Sequence, residues 1–252
     1  MKKIIFIISF IAFSHSVFAQ GFDWQYSSRL PFVHPKLFIG GNVSLGEIAT
    51  TGSFSFLEDY IPCCNYKAGS GHFIDAGIQA EYWQTGSLAL LGGLGISYNS
   101  SNFSTTIEVP RSDGVVDYTS KYKYQMDESR LYLNTSMGAK YRLFSTHFSL
   151  GAKFYLNYKL NSNANHSEKI LAPSTETYLD GSTERTITNG IVGKYNNFIM
   201  IPELFVIYDF SLGLGYYSSL KLFSTVPIMS IVQNEKWNEW KFGISVQVLK
   251  NK

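Results

Sequence analysis

Eight stretches of this chain repeat with a period of two residues, and the connections between them are alternately long and short. A period of two is the mark of a strand whose faces meet different surroundings. In KLFIGGNVSLG, Leu37, Ile39, Val43 and Leu45 share one parity, and Gly40, Asn42, Ser44 and Gly46 share the other. In HFIDAGIQAEYW, Ile74, Ala76, Ile78, Ala80 and Tyr82 oppose Asp75, Gly77, Gln79 and Glu81. The third stretch sets Leu88, Leu90, Leu94, Ile96 and Tyr98 against Ala89, Gly93, Gly95, Ser97 and Asn99. The fourth sets Leu131, Leu133, Met137, Ala139 and Tyr141 against Asn134, Ser136, Gly138, Lys140 and Arg142. In the fifth, Phe148, Leu150, Ala152, Phe154, Leu156 and Tyr158 oppose Ser149, Gly151, Lys153 and Asn157.

The sixth stretch, FIMIPELFVIYDF, is apolar on both faces, with Glu203 and Asp209 on one of them. Pro202 cannot donate to a ladder, so a bulge is expected there. The seventh sets Leu212, Leu214, Tyr216, Leu220 and Leu222 against Gly213, Gly215, Ser219 and Lys221. The eighth sets Trp240, Phe242, Ile244, Val246 and Val248 against Lys241, Gly243, Ser245 and Gln247.

QTGS, FST and a turn near Ser211 join neighbouring stretches at hairpin length, so those neighbours are antiparallel. Residues 47–71, 100–127, 161–195 and 224–236 form the other connections. Long and short alternate strictly, which puts every long loop at one end and every tight turn at the other. An even strand number with that asymmetry describes an all-β, eight-stranded antiparallel up-and-down transmembrane β-barrel, with long outer loops and short periplasmic turns. Closure satisfies every backbone polar group inside lipid. Two of the long loops carry hairpin signals of their own, Ser112-Asp113-Gly114 and Asp180-Gly181. Residues 161–169 read instead as polar and mobile.

The start of the chain agrees with export. Lys2 and Lys3 precede an apolar run from Ile4 to Phe13, and VFA precedes a cut after Ala19. Residues 1–19 read as a cleaved signal peptide, 20–36 as a periplasmic N-terminal segment and 37–250 as the barrel. Those two lysines are the only charges in the signal, so 21 basic and 19 acidic residues become balanced in the remainder. A neutral chain lacks the basic footprint of a nucleic-acid binder. Aromatic residues make up 16% of the chain and charged residues only 16%, so an exported protein of this kind has apolar surface to place. The outer membrane of a Gram-negative-type bacterium, with its lipid as partner, is the place.

The strand pattern of glycines and aromatics over about residues 37–249 resembles the OmpA-like and PorT-like outer-membrane β-barrel domain families. The resemblance implies the fold more than the task. PorT-like relatives are linked to protein secretion, which implies envelope or secretion-complex proteins as partners. Such barrels usually finish on an aromatic residue, whereas the last strand here ends VQVLKNK.

Eight strands leave an interior that side chains fill. Glu81, Lys140, Arg142, Lys153, Glu203, Lys221 and Lys241 share the polar parity, and they are expected to plug the lumen as a network of paired charges. On the apolar parity, Tyr82, Tyr141 and Tyr208 fall at the turn end, and Tyr98, Tyr158, Phe198 and Trp240 at the loop end. These read as two interface girdles.

Cys63 and Cys64, the only cysteines, lie side by side in the first long loop. Their spacing is not CxxC, and zinc needs more ligands than His72 adds. A vicinal disulfide is strained, because adjacent Cα atoms sit about 3.8 Å apart and disulfides prefer about 4.4–6.8 Å. A vicinal ring, two free thiols, and an intermolecular bond or metal all stay open. No cofactor or metal is implied. His34, His72, His147 and His166 are dispersed, with no GxSxG or HExxH near them, so the chain does not read as an enzyme. The leading reading is a non-catalytic barrel that makes contacts through its surface loops or serves as an envelope or secretion-complex scaffold. The alternatives are a soluble, secreted, lipocalin-like binder of apolar ligands and an outer-membrane lipid-modifying enzyme.

Overall fold

A computed structural model describes residues 36–55, 65–112, 114, 117–143, 146–173, 175–191, 195–213 and 216–252. The signal peptide of residues 1–19, the segment 20–36 up to its last residue, and Cys63 and Cys64 lie outside the described residues.

The strands are β1 (Lys36–Ser55), β2 (Asn65–Trp83), β3 (Leu88–Ser112), β4 (Asp117–Arg142), β5 (Phe148–Ala172), β6 (Glu184–Ile191), β7 (Phe198–Gly213), β8 (Tyr216–Thr225) and β9 (Lys236–Asn251). Each pairs antiparallel with its neighbours in the order β4-β3-β2-β1-β9-β8-β7-β5-β6, and β4 also pairs with β5. That last pairing closes a ring of eight strands. β6 stands outside the ring and takes the upper edge of β5, with Asn165 opposite Asn189, above the point where β7 begins. The all-β, eight-stranded antiparallel barrel read from the alternation is the observed fold.

The closing seam joins β1 to β9, with Val43 opposite Val246 and Gly46 opposite Gly243. A methyl group at Gly46 would fall inside the backbone of Phe242, so only glycine lets the strands approach there.

The strands run well beyond the eight stretches. β3, β4 and β5 have 25, 26 and 25 residues, about twice what a tilted strand needs to cross a bilayer. Residues 161–169 were expected to be polar and mobile, and the structure corrects this. They continue β5, with Asn163 opposite Ser129 and His166 opposite Met126. The strand was hidden because Asn163, Asn165 and Ser167 face out while Ser162, His166 and Glu168 face in, so both faces are polar. The Asp-Gly signals mark real turns. Ser112 pairs with Asp117 across Gly114, and the Tyr178 N–H donates to the Ser182 carbonyl across Gly181. Past the second turn, however, β6 pairs with β5.

Two local expectations change. The turn expected near Ser211 lies later, between Gly213 and Tyr216, so Leu212 and Tyr216 belong to different strands. Pro202 makes no bulge, because the β5–β7 register runs unbroken past its pairing with Phe154. It sits instead at the end of the β7–β8 ladder, next to Glu203 opposite Thr225, where its carbonyl accepts from the Val226 N–H at 2.9 Å and it can return no bond of its own.

The polarity of the wall inverts along single strands. On the outward face of β4, Asp117, Thr119, Lys121, Lys123, Gln125, Asp127 and Ser129 are followed by Leu131, Leu133, Thr135, Met137, Ala139 and Tyr141. Inward, the upper half buries Tyr122, Tyr124 and Met126, while the lower half buries Asn134, Lys140 and Arg142. Above the switch, β4 is built like a water-soluble protein. Below it, the same strand is apolar outside and charged inside. The lower stretch, Leu131–Tyr141, covers about 25 Å when tilted, the height of a bilayer's apolar band.

Candidate functional site

The lumen is where charge concentrates, and its side chains form three tiers.

At the turn end, Lys140 on β4 sits between Glu81 on β2 and Asp209 on β7. Its Nζ lies 2.7 Å from Glu81 Oε2 and 3.2 Å from Asp209 Oδ2. The Tyr217 hydroxyl donates to Glu81, and the Ser219 hydroxyl donates to Asp209 at 2.5 Å. Trp83 lies beneath, its ring 4.9 Å from Lys140 Nζ and 4.2 Å from the Arg142 guanidinium carbon. Arg142 also donates to the Gly86 carbonyl at 3.1 Å. Phe38, Trp83, Ala89, Tyr217 and Leu249 form an apolar floor under this tier.

In the middle tier, Lys153 donates to Gln79 Oε1 at 2.6 Å. The Gln79 amide donates to Glu81 at 3.1 Å and to Gln247 at 2.9 Å, which ties this tier to the one below. Lys221 pairs with Glu203 at 2.8 Å, with its Nζ 4.4 Å from the Phe223 ring centre. Lys241 donates to Asn99 Oδ1 at 2.8 Å above the ring of Phe73. Asp75 faces two cavities of ≈ 20 Å³ each, with Asn134 and Tyr155 lining both. Its Oδ1 is buried and has no hydrogen-bond partner among the described residues. Each cavity has room for about one water molecule, too little for an organic ligand.

The loop-end tier is built around Arg130. Its guanidinium bonds Glu128 at 2.9 Å and also bonds Glu239, across the lumen on β9. Tyr195 donates to Glu128 at 2.8 Å, and Asn99 donates to Glu239 at 3.3 Å. Trp237 covers the guanidinium at 5.2 Å. Burial holds the Glu128 carboxyl above its ordinary range, against the pull of Arg130. Higher still, the aromatic core closes over the lumen. Tyr66 and His166 share a 2.8 Å hydrogen bond, Tyr124 donates to Glu168 at 2.5 Å, and Arg185 pairs with Glu168 at 2.7 Å.

Glu81, Lys140, Arg142, Lys153, Glu203, Lys221 and Lys241 are all buried inside the barrel. The expectation from parity did not name Glu128, Arg130, Asp209 or Glu239 as lumen residues, yet they are the partners that complete the tiers. The signal was present: Glu128 and Arg130 keep the parity of Lys140, and Glu239 keeps that of Lys241. Following parity past the end of the apolar run would have found these three, and Asp209 already shared the face of Glu203.

Outside, Tyr82, Tyr141 and Tyr208 sit at the turn end, and Tyr98, Tyr158, Phe198 and Trp240 at the loop end of the apolar band. Tyr158 packs on Phe198 at 4.9 Å and Tyr208 on Phe148 at 5.0 Å. Among the described residues, the histidines do not converge. His72 points outward to Glu47 at 3.1 Å, whereas His166 is buried in the upper core.

No protein-family model matches the chain, and no curated protein matches it. Among solved structures, the barrel is similar to Neisserial surface protein A, at 8% identity over 84% of this chain and 96% of that one, with a TM-score of 0.34. It is also similar to Ail, the attachment invasion locus protein of Yersinia pestis, solved with the heparin analogue sucrose octasulfate. That match has 10% identity over 84% and 99% of the two chains and a TM-score of 0.33. A third is the outer membrane protease OmpT from Escherichia coli, at 9% identity over 90% and 100%, with a TM-score of 0.31.

Proposed function

We propose that the protein is a bacterial outer-membrane barrel that neither conducts nor catalyses, and that it acts through its outer part as an interaction or scaffold module of the cell envelope. The observation that carries the membrane reading is the inversion along β4. On one face of one strand, exposed Asp127 is followed by Leu133 and Met137, which are 46% and 71% exposed. Water accounts for the upper half of that face and lipid for the lower half.

The same observation disfavours the lipocalin-like alternative. A soluble barrel binding an apolar ligand needs an apolar lumen and a polar coat, whereas here the spanning lumen holds Lys140, Lys153 and Glu203. Its packing also disfavours a pore, since the Lys140 and Arg130 tiers each bridge the interior. For catalysis, a base must reach a nucleophile or acid, and His72 and His166 lie on opposite sides of the wall.

Above the band, the β3–β4 hairpin, the upper part of β5 and β6 present a rigid polar surface with an aromatic core beneath it. That platform suits protein contacts, and the PorT-like resemblance favours envelope or secretion-complex proteins as the partners. Envelope fractionation with heat-modifiable gel mobility tests the membrane claim, and recovery in the soluble periplasm refutes it. Cross-linking in intact envelopes followed by affinity capture tests the scaffold claim. Capture of the barrel alone, with no cross-linked partner, refutes that part.

A further inference from the structure

The exposed charges divide unequally between the two ends of the barrel. At the loop end, exposed or part-exposed cations are mixed with acids: Lys121 pairs with Glu108 at 3.0 Å, Lys169 with Glu184 at 3.7 Å and Arg185 with Glu168 at 2.7 Å, beside Lys67, Lys123 and Lys236. At the turn end, the acidic side chains among the described residues are Glu81 and Asp209, and both are buried against Lys140. Among the described residues, the exposed charged side chains on that rim are Lys250 and Lys252, with Lys36 half-buried beside them.

These three lysines occupy one sector, the β8–β9–β1 seam. Lys250 is opposite Ile39 on one side and Tyr216 on the other. The Lys252 N–H donates to the Leu37 carbonyl at 2.9 Å, and Leu37 is opposite Tyr82. Lys250 Nζ lies 5.3 Å from the Tyr216 ring centre. On the outward face of β9, the apolar residues Val246 and Val248 give way to Lys250 in one two-residue step. The cations therefore stand at the lower edge of the apolar band, beside interface tyrosines, at the height of lipid headgroups. Lys252 follows the last residue of β9 and stands two residues beyond Lys250, about 7 Å along an extended backbone, which lets both ammonium groups reach one phosphodiester.

We infer that the turn-end rim of the β8–β9–β1 seam is a binding site for the phosphate headgroup of an anionic phospholipid, with Lys250 and Lys252 as its cations and Lys36 adding to the local field. The site rests on the membrane reading proposed above. It selects lipid in the leaflet at the turn end and orients the barrel by charge. A lysine near a headgroup contributes about a five-fold preference for an anionic lipid.

The test uses the full-length protein in nanodiscs of equal phosphatidylglycerol and phosphatidylcholine, with retained lipids counted by native mass spectrometry. The parent is expected to retain phosphatidylglycerol at least ten-fold over phosphatidylcholine, and 0.5 M salt, on the order of the screening range, should erase the preference. Lys250→Gln with Lys252→Gln should lower the preference by an order of magnitude, and adding Lys36→Gln should lower it further. Lys121→Gln with Lys123→Gln, on the loop-end surface, should leave it unchanged. Equal retention of both lipids by the parent overturns the site. So does a preference that survives the turn-end changes or high salt, or one that is lost with the loop-end pair, which moves the phosphate contact to the other end. Heat-modifiable mobility shows that each variant is folded, and the salt arm stands on the parent alone. Failure of the parent to insert into the nanodisc refutes the membrane reading itself, a separate outcome.

Discussion

Lys140 holds one ammonium between two buried carboxylates, Glu81 and Asp209. Replacing Lys140 by Met leaves both acids without that cation inside the band, and breaking a buried pair this way costs about 3–5 kcal/mol. The expected result is a lower urea midpoint for the refolded barrel, and Glu81→Gln in the same background should recover part of it. His166 reports on the other half of the molecule. Burial pushes its imidazole below the ordinary value, and Glu168 restores only part of the difference. The unfolded chain therefore binds a proton more readily than the folded one. Stability of the upper barrel is full above the ordinary histidine value of about 6.5 and falls as pH drops from there to the depressed folded value. Hydrogen exchange of residues 162–170 at pH 5 and pH 7.5 measures this. His166→Gln, which keeps a partner for Tyr66, should flatten the difference. An unchanged difference in the variant assigns the pH response to other groups.

β4 carries two structural regimes end to end, so substitutions along its outward face separate them. Met137 lies in the apolar band and Gln125 above it, with the same parity and the same neighbouring strands. Met137→Lys is expected to cost about 2–4 kcal/mol in a bilayer, as a lysine near the midplane does, whereas Gln125→Lys should be nearly neutral. Equal costs for the two in a liposome unfolding series would contradict the placement of the band. The elements themselves were legible to different degrees. The lower halves of the strands show strong hydropathy contrast between parities, so their existence and pairing followed from sequence. The upper half of β5 has polar residues on both faces, and hydropathy has no contrast there to detect. β6 was visible only as the far arm of an Asp-Gly turn. Which edge it would join depended on where β7 leaves the barrel, and no local signal carries that.

As a whole, the molecule is a closed wall with a filled interior. The Lys140 tier, with its floor of Phe38, Trp83 and Tyr217, and the Arg130 tier under Trp237 and Tyr195 lie in series. Planar bilayers containing the protein are therefore expected to show no stepwise ionic conductance at neutral pH. Reproducible single-channel steps would show that one of these tiers opens. Sequence alone determined the period of two, the number of strands in the ring, the end at which the turns lie, and the faces of the residues in the spanning halves of the strands. All of these are local quantities, written in parity and in the spacing of turn residues. The tertiary structure alone decided who meets whom across the lumen: Arg130 with Glu239, Glu81 with Tyr217, and Tyr66 with His166, at separations of 109, 136 and 100 residues. Those meetings depend on the stagger of the strands and on closure of the β1–β9 seam, which set the height and direction of every inward side chain at once. Parity places a charge inside the wall, and only the closed ring places its partner opposite.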